Sequence, residues 1–162
     1  MTSDLSHFDD AGRSRLVDVG DKPLAHRMAR ASGAIAMRAS TLEQIRGGEV
    51  SKGNVLEVAR LAGIMAAKRT SQLIPLCHML PLDAVEIEFG FPDDAHLAIE
   101  AVVKATARTG VEIEALVAVS AAALTVYDMC KGVDRAMVLG PVQLEEKLGG
   151  RSGHYRRDAG GG

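Results

Sequence analysis

The sequence predicts an α+β fold of the ferredoxin-like type, a four-stranded antiparallel sheet with two long helices on one face. Two neighbouring stretches, 85–91 and 97–104, alternate apolar and polar residues as the strands of a β-hairpin do. Two long stretches with few charges, 54–74 and 109–131, have the composition of buried helices. With one strand before the first helix and one after the second, the element order becomes β-α-β-β-α-β.

The composition is that of one domain with a core of small and aliphatic side chains. Of the 162 residues 47% are apolar, but only 3% are aromatic and tryptophan is absent. The net charge of −2 gives no electrostatic reason to expect a nucleic-acid partner. Cys77 and Cys130 fit neither a metal-ligand spacing nor a disulfide framework. The acidic N-terminus lacks the apolar segment of a signal peptide, so we expect a soluble, cytoplasmic protein without a membrane partner.

Changes in composition divide the chain into three segments. Residues 1–24 are polar and interrupted by glycines and by Pro23, which predicts a flexible N-terminal arm. Residues 25–148 contain all the predicted strands and helices and form the single ferredoxin-like domain. Residues 149–162 are glycine-rich, which predicts a tail that is mobile unless it closes over a ligand.

The first half of the domain is predicted to contain a strand, a short helix and a long helix. Residues 25–38 alternate small or apolar side chains with polar ones, as a strand does. Thr41 is placed to cap a short helix that Gly47 and its neighbouring glycine end. The long helix covers 54–74, and Pro75 stops it.

The second half begins with the hairpin and ends with a last strand. Val85, Ile87 and Phe89 lie on one face of the first hairpin strand, and glutamates lie on the other. A proline and two aspartates after Phe91 make the turn to the second strand. Residues 136–144 form the last predicted strand, after the second long helix.

That second long helix has an unusual distribution of charge. Glu112 and Glu114 lie in its first turn, where the helix dipole stabilises acidic side chains. Residues 115–126 carry no charge, and Asp128 and Lys131 follow at the far end. The uncharged part is too short to span a membrane, so protein must cover it on every side. Because a ferredoxin-like helix has an outer side, we expect a second subunit to cover it.

The length of this helix separates its charged ends. Glu114 and Asp128 are on nearly the same face but roughly 21 Å apart along the axis. One small-molecule site cannot easily use both. If both ends take part in chemistry, each site is built from two subunits.

Several charged residues allow a structural and a functional interpretation. Lys52 precedes a helix N-terminus, which favours either an anion site or an ordinary exposed lysine. Lys68 and Arg69 near the other end of that helix either complement the helix dipole or bind an anion. His78 follows Cys77 in an apolar loop and is either structural or part of a site.

The pair Asp128 and Lys131 is equally open to two interpretations. An exposed ion pair of this kind contributes less than about 1 kcal/mol to stability. At a subunit interface the same pair would be desolvated, and the pKa of the lysine could move toward the range useful for proton transfer. The nearby Cys130 is interpreted as a packed core thiol.

The chain resembles the MoaC proteins of molybdenum-cofactor biosynthesis. The matching stretches are LVDV at 16–19, KGNV at 52–55, AAKRT at 66–70, LIPLCH at 73–78, TGVEIEAL at 109–116, YDMCK at 127–131, GPV at 140–142 and GGRSG at 149–153. They cover nearly the whole chain in family order. The sequence departs from the family pattern at Met79, where proline is usual, at Ile113, where methionine is commoner, and at Arg151, where lysine is frequent.

The resemblance implies a reaction and an assembly. The substrate would be 3′,8-cyclo-7,8-dihydroguanosine 5′-triphosphate, converted to cyclic pyranopterin monophosphate with release of pyrophosphate. No metal or other cofactor is expected. The family is a homohexamer, a trimer of dimers, with its sites at the dimer interface.

The resemblance also assigns roles to individual residues. It implies Asp128, Lys131 and Lys52 as catalytic residues, and we hypothesise that Asp128 orients and tunes Lys131 as a general acid or base. The expected substrate-binding residues are Leu76, Cys77, His78, Ile113, Glu114, Glu112, Lys68, Arg69 and Lys147. The alternative is a ligand-binding regulatory module of ferredoxin-like fold without catalysis.

Overall fold

The computed structural model describes residues 7–9, 11–48, 53–150 and 153–158. Within these residues it contains five strands and four helices, which confirms the α+β class. In chain order they are β1 (Ala25–Ala36), α1 (Ala39–Gly47), α2 (Val55–Ala67), α3 (Thr70–Leu73), β2 (Ala84–Gly90), β3 (His96–Ala107), α4 (Glu112–Cys130), β4 (Val138–Leu148) and β5 (Tyr155–Arg156).

The five strands form one antiparallel sheet in the order β2-β3-β1-β4-β5. β1 lies between β3 and β4, with Ala31 opposite Ala101 on one side and Leu144 on the other. Its alternate residues, among them Ala29 and Ile35, are fully buried. The first strand of the chain is therefore the centre of the sheet.

Small residues let the helices approach the sheet and each other closely. α4 packs against β1, β3 and β4, and α2 packs against α4 and β2. A Cβ added to Gly33 of β1 would lie 2.5 Å from a methyl carbon of Val119 in α4. One added to Gly63 of α2 would lie 2.8 Å from the carbonyl oxygen of Ala118. This close packing explains how a core almost without aromatic residues is filled.

The outer sides of the two long helices remain apolar and open in the single chain. Leu124 of α4 is 62% exposed, and Leu61 of α2 is 59% exposed. By length and composition alone α4 could cross a membrane, but half of its apolar window is buried in this domain. That a second subunit covers these faces stays a prediction.

The prediction of one continuous helix over 54–74 is wrong, because the structure has two helices in this stretch. α2 ends at Ala67, and α3 is a single turn that begins at Thr70. Between them Arg69 has φ −115° and ψ 15°, which is not helical. The Thr70 hydroxyl donates to the Ala67 carbonyl at 2.9 Å. Such local side-chain bonding offers the backbone an alternative to the regular helix.

The predicted four-stranded sheet has a fifth strand. β4 runs to Leu148, beyond the predicted end at 144, and its edge pairs with Tyr155 and Arg156. These two residues lie in the segment predicted to be a mobile tail. The backbone N–H of Arg157 also donates to the carbonyl of Glu145 at 2.8 Å. The tail adds to the sheet because β4 presents an unpaired edge, which composition does not reveal.

Candidate functional site

A cavity of about 460 Å³ lies at the N-terminal end of α4. The loop that follows α3 forms one wall, and the first turn of α4 forms the other. Six predicted substrate-binding residues line this cavity: Leu76, Cys77, His78, Glu112, Ile113 and Glu114. The fold thus brings together two stretches that are more than thirty residues apart in the chain.

The loop has an unusual backbone at Leu76. Its φ is +63°, in the left-handed region that side chains other than glycine rarely adopt. The next residue closes the turn, since the Cys77 N–H donates to the Ile74 carbonyl at 3.3 Å. A residue held in this region costs on the order of 1–3 kcal/mol, so the surrounding contacts must fix the loop.

Glu114 is the most buried acidic group of the cavity, with 3% of the residue exposed. Burial raises the pKa of its carboxyl, and the charge of Glu112 raises it further. The Cys77 Sγ lies 3.9 Å from Glu114 Oε1. The pKa of this thiol is also raised, first by burial and then by Glu114, so Cys77 is held as the neutral thiol. The cavity therefore contains a carboxyl group that retains its proton more readily than a surface glutamate.

Lys147 reaches the same end of α4 from β4. Its Nζ lies 2.6 Å from Glu112 Oε1, and both side chains are about three-quarters buried. Gly110 lies directly beside this pair, and a Cβ there would force the Glu112 carboxylate to move. The ion pair fixes one cation at the edge of the cavity.

Asp128 and Lys131 lie at the opposite end of α4. Lys131 Nζ is 2.7 Å from Asp128 Oδ1, and both side chains are more than half exposed. The hydrogen bond and charge of Asp128 raise the pKa of Lys131. The single chain therefore shifts this lysine in the opposite direction to that considered for proton transfer at a subunit interface.

The turn after α4 is fixed by a buried carboxylate. Asp134, 2% exposed, accepts from the backbone N–H of Arg38 at 2.9 Å and from the Thr41 hydroxyl at 3.2 Å. The Arg38 N–H is the largest cause of its lowered pKa. The C-terminal end of α4 is thus attached to the start of α1.

Two other predicted cations, Lys68 and Arg69, do not line the first cavity. Lys68 lines a neighbouring cavity of about 380 Å³, which shares Leu80 with the first. Arg69 is exposed just before α3. Lys52 lies outside the described residues.

Six further residues that the sequence analysis did not assign to the site also line the cavity: His7, Ile74, Pro75, Leu80, Thr109 and Gly110. Four of them, Ile74, Pro75, Thr109 and Gly110, belong to stretches already matched to the family, so a signal existed. His7 had none, because it is a lone histidine in a polar segment. Among the described residues no three acidic, histidine or cysteine side chains are grouped to hold a metal.

Comparisons with known proteins agree on one family. A model described as MoaC family matches residues 16–150. A cyclic pyranopterin monophosphate synthase of Magnetococcus marinus is 60% identical over 157 residues, which are 96% of each chain. The protein of the same name from Thermomicrobium roseum is 55% identical, covering 96% of this chain and 95% of its own. That of Brevibacillus brevis is 52% identical, covering 97% and 98%.

Proposed function

This chain belongs to the MoaC family, and we propose from that membership that it catalyses the synthesis of cyclic pyranopterin monophosphate, for which its relatives are named. The substrate is 3′,8-cyclo-7,8-dihydroguanosine 5′-triphosphate, and the second product is pyrophosphate. The observation that carries the proposal is the cavity formed by Leu76, Cys77 and His78 with the first turn of α4. It joins two of the stretches that identify the family.

The chemistry of this conversion suits the groups in the cavity. The reaction opens a guanine-derived ring, closes a pterin and a cyclic phosphate, and has no net redox change. Each step therefore moves protons or stabilises negative charge. Glu114, whose pKa is raised by burial, supplies a proton, and the neutral Cys77 thiol packs beside it.

The triphosphate requires cations, although the whole chain is slightly acidic. Lys147 is already positioned at the edge of the cavity by Glu112. Lys68 and Arg69 bind phosphate from the side of the neighbouring cavity, and Lys52 acts with them as a catalytic lysine. Charge-assisted hydrogen bonds of this kind are about twice as strong as neutral ones.

A second copy of the chain completes the site. Asp128 is roughly 21 Å from Glu114 along the axis of α4 and Lys131 is farther still, so both are too far to act in the same cavity. The exposed apolar side chains Leu61 and Leu124 offer a surface for such an assembly. We therefore place the Asp128 and Lys131 of one subunit at the cavity of its neighbour, within a homohexamer built as a trimer of dimers. There Asp128 orients Lys131 as a general acid or base.

Two finer features accompany this proposal. The strand order β2-β3-β1-β4, with α2 and α4 packed together, supports a ferredoxin-like domain to which β5 is an addition. The family membership supports a cytoplasmic location.

The direct test is to incubate the protein with the cyclic triphosphate and to measure pyrophosphate and the pterin product. Lys131→Ala and Asp128→Ala are each expected to retain the fold and to lose turnover by about 10²-fold or more, because they remove the proposed general acid or base and the carboxylate that orients it. Lys104→Ala is the matched control, since Lys104 is an exposed lysine paired with Glu86 on the sheet. Near-normal turnover by Lys131→Ala would end its catalytic assignment. Binding without product in the wild type would favour a regulatory module.

A mixing experiment tests the shared site. Lys131→Ala and Glu114→Gln proteins, each inactive alone, are unfolded together and refolded as mixed oligomers. If each site takes one group from either subunit, a mixed dimer has one intact site, and about a quarter of the wild-type activity returns. No recovery would show that Glu114 and Lys131 do not belong to a site between subunits.

A further inference from the structure

The stretch at 16–19 matches the family, and none of the proposed site residues belongs to it. One of its atoms contacts the cavity loop. His78 Nε2 lies 2.7 Å from the carbonyl oxygen of Val17. A carbonyl oxygen can only accept a hydrogen bond, so Nε2 must carry the hydrogen.

This contact assigns the tautomer of the imidazole. When Nε2 carries the only ring hydrogen, Nδ1 holds a free lone pair and can accept a proton. No described residue makes a hydrogen bond to Nδ1. His78 lines the cavity in which we propose that substrate binds, and Nδ1 is the ring nitrogen that Val17 does not engage.

We propose that the main-chain carbonyl of Val17 is a positioning group that fixes the tautomer of His78, so that Nδ1 accepts a proton from bound substrate. The proposal rests on the proposed function and extends it with a residue of the N-terminal segment. In the step, an N–H or O–H bond of the substrate breaks and an Nδ1–H bond forms. The imidazolium keeps its Nε2–H bond to Val17, its charge is balanced by the negative charge left on the substrate, and the proton later returns to substrate or water.

The N-terminal segment is anchored well enough to perform this task. Directly after Val17, the Asp18 carboxylate accepts from the backbone N–H of Gly20 at 2.8 Å and forms a turn. Further along, the Lys22 carbonyl accepts from Arg108 Nε at 2.9 Å, next to the start of α4. The first bond shapes the turn that follows Val17, and the second attaches the segment to Arg108, between β3 and α4.

The loop that carries His78 is also held in place by its own backbone. The positive φ of Leu76 reverses the chain directly before Cys77 and His78. The Cys77 N–H bond to Ile74 closes that turn. The imidazole is therefore fixed through its own backbone and through Nε2, which leaves Nδ1 as the nitrogen available for chemistry.

The first experiment determines the tautomer without substrate. Protein labelled with ¹⁵N at histidine is studied by long-range ¹H–¹⁵N correlation at about pH 8, where unperturbed histidine is neutral. His78 is expected to show hydrogen on Nε2 and a bare Nδ1. The same spectrum contains a reference of the opposite kind, because His96 Nδ1 lies 2.8 Å from Asp93 Oδ2 and must carry the hydrogen there.

His78→Gln and His96→Gln assign the two signals. A His78 signal with hydrogen on Nδ1 would overturn the proposal. This measurement does not depend on turnover, so it tests the tautomer of His78 even if the proposed reaction is wrong.

The second experiment separates positioning from proton transfer. His78→Gln retains an N–H donor near the position of Nε2 but has no group to accept a proton at Nδ1. His78→Asn is too short to reach Val17. We expect His78→Gln to keep KM within about threefold and to lose kcat by 10²-fold or more. We expect His78→Asn to lose kcat equally, to raise KM, and to speed tryptic cleavage after Arg13 and Arg15 because the segment is released.

Two results contradict the proposal. Wild-type kcat in His78→Gln would remove the proton-accepting role of Nδ1. Equal cleavage rates in His78→Gln and His78→Asn would remove the positioning role of Val17. His96→Gln, altered at the first residue of β3 where the histidine side chain is 45% exposed, is the control for both readouts.

Discussion

At the scale of single residues, the site contains two residues that are held in an unusual state, one in its protonation and one in its backbone conformation. Glu114 is a carboxyl group in an almost closed environment, and Leu76 is a leucine with the backbone of a glycine. Such departures cost stability and are typical of functional positions. Each of these two residues therefore predicts a change in stability that can be measured.

Glu114 makes the stability of the protein depend on pH. Its folded pKa is raised above the ordinary value of about 4.5, so the protonated form favours the folded state. This contribution is fully present below the unfolded pKa and is lost as pH rises through the folded pKa. Glu114→Gln is therefore expected to unfold at a higher temperature than wild type at about pH 7, with little difference at about pH 4.

Thermal unfolding measured across this pH range checks the prediction. Glu112→Gln serves as the control, because it breaks the 2.6 Å pair with Lys147 and should lower stability at neutral pH. A Glu114→Gln protein that is less stable than wild type at neutral pH would contradict the assigned burial effect.

At position 76 we expect the glycine variant to be more stable than the alanine variant, which is the reverse of the usual order within a helix. Glycine adopts a positive φ without a steric cost, whereas alanine does not. Leu76→Gly and Leu76→Ala remove nearly the same side chain, so their difference reports the backbone alone. We expect the glycine variant to be more stable by about 1 kcal/mol in urea unfolding. At Leu73, the last residue of α3, φ is not positive, and the same two substitutions should rank in the usual order, with alanine the more stable.

At the scale of elements, α4 determines most of the architecture. It contacts three strands and α2, and many of its alanines are completely buried. This helix begins and ends where its charges predicted, because acidic residues mark its first turn and the apolar residues between its charged ends identify its buried part. The break between α2 and α3 was not predicted, since the propensities of the residues around Lys68 and Arg69 allow a continuous helix.

The crossing of α2 and α4 depends on one glycine. A Cβ on Gly63 would lie 2.8 Å from the Ala118 carbonyl oxygen, which is backbone and cannot move aside. Gly63→Ala is expected to destabilise the protein by about 1–3 kcal/mol, although alanine normally favours a helix. Urea unfolding measures the change. Gly132→Ala is the matched control, because nothing lies within 4 Å of its added Cβ. If the two variants are equally stable, the helices are not packed this closely.

At the scale of the whole molecule, the two charged ends of α4 lie in different surroundings. The N-terminal end forms a cavity within the chain, and the pair of Asp128 and Lys131 stands exposed at the other end. In the proposed function a complete site therefore requires a second copy of the chain. The apolar outer sides of α2 and α4 supply the surface that an assembly could bury.

The assembly can be tested at one exposed leucine. Leu124→Glu places a charge on the outer side of α4 and is expected to yield a smaller species in light scattering and lower turnover, because a buried unpaired charge is costly. Leu24→Glu is the control, since both leucines are 62% exposed but Leu24 precedes β1. An unchanged mass for Leu124→Glu would exclude this face from the interface.

The sequence alone determined the α+β class, the main strands and the buried helix, and the family resemblance supplied six of the twelve residues that line the cavity. Local patterns carried the information on the fold, since alternation, charge and glycine placement act over a few residues. Only the tertiary structure decided that β5 joins the edge of β4, that Val17 contacts His78, and that Lys147 pairs with Glu112. These contacts join distant segments, and their partners are selected by the packed shape of the whole chain, which no local pattern contains.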